Sequence, residues 1–471
     1  MKTNLVIGSG PSGLAAVKFL IGKNQKVILV DGANEKQHEN ENFNFKLDQK
    51  TSPKFQSLLF KFSNNEFKKK YSINQNNFFL TSSIVRGGLT NFWGGGLEIP
   101  SENYLKKNEI NKKDYKKNII QAKKFFCNNE SKQGSDFKKN LDVKFKYLKS
   151  AFNFKNNKIV KLDLALTNEN NKFQKICNFS NLCLKNCDRN SLYNYNNILS
   201  NLDKKKFQFQ NNKFVVDIKK NNKKYSVFFD DKTSIIVDKI FCCAGTVGST
   251  ILISKLLKIY NKPIRLFHNP MYQLLFFSIN KFKNIFNKIS LPYAKIIIKY
   301  KQFYNSGSIV LLNDQNDNYF KNIFLRTIFK LFKNFFIGGN FFISQQLSKT
   351  YICLKEKNKI ELSSNNFKNK TDREILKKIS KYFIINKLIP VPFLNGKKFM
   401  NGSDTHYTST LYNFRIKNQK IINNNGEVKG YKNLFVLDGS IIPPGLAYPT
   451  LFIVCNVFMK LSKIFKNEKQ I

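Results

Sequence analysis

The chain is poor in the residues that announce a specialised environment. It holds one Trp, three His and eight Cys among 471 residues. Eight Cys is too sparse for a disulfide scaffold. No run of 18 apolar residues occurs, which excludes a membrane-spanning helix. Acidic residues number 31 against 80 Lys and Arg, giving a formal charge of +49, yet only six of the basic residues are Arg. Such a charge ordinarily points to nucleic acid or an anionic membrane. Here Lys is spread over the whole length, with Asn, Ile and Phe inflated beside it, so a compositional bias explains it better than a polyanion site. Nucleic-acid binding is not expected, while loose association with an anionic membrane surface stays compatible with the charge. Nothing leader-like precedes the first strand, so a cytoplasmic setting is expected. At this length, with 42% hydrophobic residues, two or three domains or one interleaved fold can be built.

What is present begins at Leu5-Val6-Ile7-Gly8-Ser9-Gly10-Pro11-Ser12-Gly13, followed by Lys26-Val27-Ile28-Leu29-Val30-Asp31. This reads as a buried strand, a glycine turn, an apolar helix and a second buried strand ending in a carboxylate. Gly8 permits the turn, Gly10 lets backbone approach a pyrophosphate, and Gly13 lets helix and strand pack closely. The helix N-terminus at Pro11 and Ser12 offers free N–H donors to phosphate. Asp31 stands where a ribose-binding acid belongs.

A second glycine-dense stretch runs from Arg86 to Gly96 and contains Gly87, Gly88, Asn91, the lone Trp93 and Gly94. Glycine at this density, among bulky rings, points to an ordered loop against a cofactor. Residues 34–49 read as a polar loop holding His38, residues 50–80 show no strong period, and residues 101–160 predict surface helices. From Phe214 three short alternating segments predict a β-meander that includes Val216. It feeds the buried strand Lys239 to Cys243, the turn at Gly245 and an apolar helix. Residues 261–400 carry mixed signals and no glycine loop. Within them, residues 320–336 predict an amphipathic helix, read as cover for a sheet ahead of a membrane-surface role.

The last 70 residues contain Asp404-Thr405-His406, then Asn433-Leu434-Phe435-Val436-Leu437-Asp438-Gly439-Ser440, then Tyr448-Pro449-Thr450. In this order, and with the two glycine loops ahead of them, these segments resemble the glucose–methanol–choline (GMC) oxidoreductase family. The resemblance covers both ends and about a third of the chain. It implies an α/β fold: an FAD-binding Rossmann-like three-layer domain, parallel sheet plus meander, interleaved with an α+β substrate domain on an antiparallel sheet. The implied boundaries are 1–260 for the FAD-binding region, with a helical and Cys-bearing insertion at about 101–200. Residues 261–400 would be mainly substrate domain, and 401–471 would complete the FAD domain and active site.

By the same resemblance His406 is the base that takes a proton from an alcohol, polyol or sugar while hydride passes to flavin N5. Asp438 and Gly439 lie along the flavin, and Pro449 and Thr450 open a helix toward its ring. Tyr448 replaces the family's usual Asn or His, and Ser409 replaces a usual Gly. These departures leave a catalytically degenerate flavin-binding relative open, as well as a sugar-modifying enzyme of surface-polysaccharide synthesis. Cys177, Cys183 and Cys187 are spaced C-x5-C-x3-C. Chance cysteines, zinc, a disulfide and an iron–sulfur cluster all remain open. Some family members carry such a cluster, and Ser180 stands where a further Cys would be. A dehydrogenase with a quinone or cytochrome-type electron acceptor is expected ahead of an oxidase.

Overall fold

A computed structural model of the chain describes residues 2–33, 58–127, 132–151, 158–178, 189–280, 293–311, 323–356, 358–364, 370–392 and 394–467. Its first unit is β1 (Thr3–Ile7), α1 (Pro11–Gly22) and β2 (Lys26–Val30). Strand β3 (Lys239–Cys242) and helix α2 (Gly245–Leu256) follow the meander. One five-stranded parallel sheet results, in the order Leu434–Val436, β3, β1, β2, Phe207–Gln210.

Side-chain alternation splits this sheet's residues between two cores. Val6, Leu29, Phe241 and Phe435 face α1 and the closing helix Thr450–Asn467. Leu5, Ile7, Val30, Ile240 and Cys242 face the meander through Val215, Tyr225 and Val227. Both faces are covered, which is why these strands read as unbroken apolar runs. The expected three layers are therefore present. In α1 the small residues allow contact at backbone distance: a Cβ on Gly13 would lie 1.8 Å from the Gly8 carbonyl oxygen. The closing helix packs Phe458 and Phe465 around Phe19 of α1, with ring centroids 6.4 and 6.0 Å away.

The second large sheet is six-stranded and antiparallel. It centres on β4 (Met271–Ser278), β5 (Phe303–Leu311) and β6 (Phe336–Phe342). Its order is Leu388–Pro390, β4, β6, β5, Ala294–Tyr300, Lys158–Lys161. The helix Lys370–Ile385 buries Ile375, Ile379 and Phe383 against it, and Phe383 stacks on Phe276 at 4.2 Å.

Three regions depart from expectation. Residues 58–76 form the helix Leu58–Lys70 and the strand Ser72–Asn76. That strand is almost wholly polar and is held by parallel backbone pairing to Lys359–Ser364, so it leaves no apolar period. The helix Lys112–Phe126 is less superficial than expected, burying Asn118, Ala122 and Phe125 against the closing helix. The helix Ile323–Phe332 buries Phe329 with Leu275 and Phe336 but exposes Ile323, Phe324 and Leu331, so much of its apolar surface is left uncovered. No helix among the described residues is long and apolar enough to cross a membrane.

Candidate active site

The two sheets meet over a cavity of roughly 410 Å³ that runs from the N-terminus of α1 to His406 and Tyr448. At its first end Gly8 has φ +98°, and a Cβ there would meet the Cys243 carbonyl at 2.6 Å. The turn is therefore closed to any side chain. At Gly10 the opposite holds, since nothing lies within 4 Å of a Cβ built there. Gly10 is the N-cap of α1 and forms no side-chain cap, and no acid occupies the first turn. Unshielded N–H groups at the positive helix end thus face open space, a donor set suited to a pyrophosphate. Asp31 follows β2 and accepts the Ser9 N–H at 2.7 Å and the Ala33 N–H at 2.9 Å. Burial pushes its pKa up, opposed by these donors and by Arg86.

At the far end three rings gather. The Phe342 centroid lies 5.2 Å from His406 and 5.4 Å from Tyr448, and His406 and Tyr448 lie 5.4 Å apart. Nδ1 of His406 and the hydroxyl of Tyr448 are buried without a hydrogen-bond partner. Buried polar atoms are normally paired, so an unpartnered pair lining a cavity marks a place for a ligand's polar group. Burial lowers the pKa of His406, partly offset by Asp404 and Glu98, which favours the neutral imidazole. Burial pushes the Tyr448 phenol up, opposed by the nearby Ser308 side chain, and it stays a protonated donor. One imidazole and one phenol face the same space.

Both loops that carry these rings are held from outside. Gln345 is buried, and its Nε2 donates to the His406 carbonyl at 3.0 Å while its Oε1 accepts the Gly445 N–H at 2.9 Å. Glu98 accepts the N–H groups of Ala447 at 2.9 Å and Tyr448 at 2.8 Å, and its other oxygen pairs with buried Lys295. Asp404 meets His268 Nδ1 at 3.0 Å and accepts the Asn269 N–H at 2.7 Å, fixing the turn before His406. Downstream, Ser409 takes φ +67°, a left-handed conformation that suits glycine, and Thr410 bonds Thr250 at 2.6 Å.

No family model matches the sequence, and no curated protein matches it. Among solved structures, the chain is similar to pyridoxine 4-oxidase from Mesorbium loti, with 10% identity, a TM-score of 0.59 and 99% of each chain covered. It is also similar to formate oxidase from Aspergillus oryzae RIB40, in a structure of an R554A variant concerned with FAD modification. There the identity is 11%, the TM-score 0.58, and coverage is 100% of this chain and 99% of that one. The chain has the GMC oxidoreductase fold.

Within that fold the cavity wall includes Gly8, Gly10, Pro11, Ser12 and Asp31 at one end. Gly88, Trp93, Gly94, Gly245, Asp438 and Gly439 lie between, and His406, Tyr448, Pro449 and Thr450 stand at the other end. Four expected contacts lie off the wall. Gly13 packs on Gly8, as above, and a Cβ on Gly87 would strike the ring of Tyr195 at 2.5 Å. The Asn91 amide donates inward to the carbonyls of Arg86 and Gly88 at 2.7 and 2.8 Å, so it shapes its loop. Val216 sits at a β-bulge in the meander, and its carbonyl accepts from Lys255. Asp438 lines the wall yet spends both oxygens internally, on Ser249 and on Ser440.

His268 lies outside the wall and serves Asp404, while His38 falls outside the described residues. Cys177 is half-buried; Cys183 and Cys187 lie outside the described residues. Among the described residues no group of three or more metal-ligating side chains occurs. Sequence reasoning missed Glu98, Lys295, Phe342 and Gln345. One signal pointed toward Phe342: Gly338-Gly339 inside an apolar strand, which in a sheet marks close backbone approach. A Cβ on Gly339 would lie 1.9 Å from the Ser308 carbonyl.

Proposed function

We propose that the protein is an FAD-dependent oxidoreductase acting on the CH–OH group of a small-molecule alcohol. The carrying observation is that the ring of His406, with its Nδ1 buried and unpartnered, shares one cavity with the bare N-terminus of α1. The cradle fits the cofactor. The α1 N–H groups would hold the pyrophosphate and Asp31 the adenosine-side ribose. Trp93, Gly94, Asp438 and Gly439 would flank the remainder, with the closing helix presenting its N-terminus from Thr450. FAD bound there would supply a two-electron acceptor for hydride from the alcohol carbon. The formate oxidase structure concerned with FAD modification supports that choice of cofactor.

The chain's own part is proton handling and placement. His406 accepts the hydroxyl proton, for which a neutral imidazole at working pH is suited. Tyr448 donates to the substrate oxygen and so orients the carbon that loses hydride. Phe342 packs beside both and excludes water from that corner.

The test is purified protein loaded with FAD and mixed anaerobically with alcohols. Bleaching of the flavin bands by an alcohol is the expected result; a protein that binds no flavin would overturn the reading. Oxygen uptake measured against reduction of a quinone or cytochrome assigns the electron acceptor, and iron analysis tests the spacing of Cys177, Cys183 and Cys187.

A further inference from the structure

The reacting corner is free of usable charge, in a chain that is rich in it. Among the described residues, none of the 80 Lys and Arg lines the cavity. Three carboxylates line it, Asp31, Asp404 and Asp438, and each is already engaged by donors of the protein. Glu98, close behind, is neutralised by Lys295. An anionic ligand would find no counter-charge here, and a cationic one no free carboxylate. Burying either without a partner is strongly unfavourable.

The sheet side of the wall is built from opposed residues of β4 and β6. Met271 stands opposite Phe342, Gln273 opposite Asn340, and Leu275 opposite Gly338. Met271 and Phe342 pack with Tyr448, and Phe342 lies against His406. Moving outward along the strands, the wall is therefore apolar and aromatic beside the base, then carries a pair of neutral amides. Two residues of strand separate the pairs, roughly 7 Å. Neither amide side chain makes a hydrogen bond among the described residues.

We infer that the substrate is an uncharged primary alcohol with a flat apolar body, such as an arylmethanol, rather than a sugar, a polyol or a charged alcohol. The inference rests on the functional reading above. The reacting CH–OH sits at His406 and Tyr448, the apolar body lies against Phe342 and Met271, and Gln273 and Asn340 take a neutral polar substituent at the far end. A sugar presents hydroxyls all round, whereas the wall here offers a phenyl ring and a thioether, and its Ser308, Ser403 and Thr405 hydroxyls are each engaged within the protein.

Two readouts on the FAD-loaded protein test this. Anaerobic bleaching is compared for benzyl alcohol, 4-(hydroxymethyl)benzoate, 4-(aminomethyl)benzyl alcohol, glycerol and glucose. Benzyl alcohol should exceed every other by at least about 100-fold in rate over dissociation constant, the scale of an unpaired buried charge. Independently of turnover, benzamide should perturb the flavin absorption spectrum at concentrations where benzoate does not. In N340K the discrimination against 4-(hydroxymethyl)benzoate should shrink at least tenfold. Bleaching by glucose or by a charged alcohol as fast as by benzyl alcohol overturns the inference and leaves the oxidoreductase reading standing. Flavin that no alcohol bleaches overturns that reading instead, and benzoate binding as well as benzamide then overturns the inference too.

Discussion

The parallel and antiparallel sheets share one cavity but build their halves of it from different material. The parallel side uses backbone: turn N–H groups, carbonyls and the end of α1, with glycine wherever a Cβ would intrude. The antiparallel side uses side chains of paired strand positions, Met271 with Phe342 and Gln273 with Asn340. The lesson concerns what each wall can recognise. A backbone wall reads a group common to many cofactors, and its demands fall on a few glycines. A side-chain wall reads one substrate, and its residues follow no pattern except facing the same way.

This contrast breaks most severely at Gly13. G13V would drive a side chain into the Gly8 carbonyl, 1.8 Å from the new Cβ. More than about 4 kcal/mol of stability should be lost, and flavin binding with it, as read by thermal melting and visible absorbance. At the junction of the walls, H406A should lower the rate of flavin reduction by about 10²- to 10⁴-fold while leaving flavin bound. Retention of the native rate would reject His406 as base.

The pH dependence sharpens the same point. Burial depresses the His406 pKa, so reduction should stay near its plateau at neutral pH and fall only as pH drops below the ordinary histidine range. The sign for stability agrees. A group with a depressed folded pKa stabilises above its unfolded value, and that contribution is lost as pH falls through the folded one. A stopped-flow profile with its inflection above the ordinary histidine value would contradict this.

On the substrate side, E98Q leaves buried Lys295 unpaired and weakens the acceptor for the Ala447 and Tyr448 N–H groups. A loss of about 3–5 kcal/mol is expected, most of it recovered when K295M is added. A double variant no more stable than E98Q would show that the ion pair is not the cause. The smallest change is S409G, which relieves the left-handed φ of +67°. A gain of about 0.5–1 kcal/mol in denaturant unfolding is expected, with an unaltered substrate profile.

Much of the cofactor side was legible because close approach leaves marks in composition. Gly8 and Gly13 are demanded by clashes of 2.6 and 1.8 Å, and both stand in the first line of the chain. Side-chain roles on that side were less legible. Asn91 looked like a ligand beside Trp93 but turns inward to its own loop, and Val216 lies at a bulge whose carbonyl belongs to Lys255. The strand Ser72–Asn76 was invisible because backbone pairing, not apolar burial, holds it.

By itself the sequence determined the parallel unit, the glycine cradle, and His406 as the imidazole to watch, because local backbone geometry restricts which residues can stand there. Only the tertiary structure decided which side chains surround that imidazole. Phe342, Glu98, Gln345 and Lys295 lie 61 to 308 residues from His406 and carry no motif. They meet because strand register and a buried ion pair bring them together. That the reacting corner of so basic a chain lacks an unpaired charge could be seen only once it was folded.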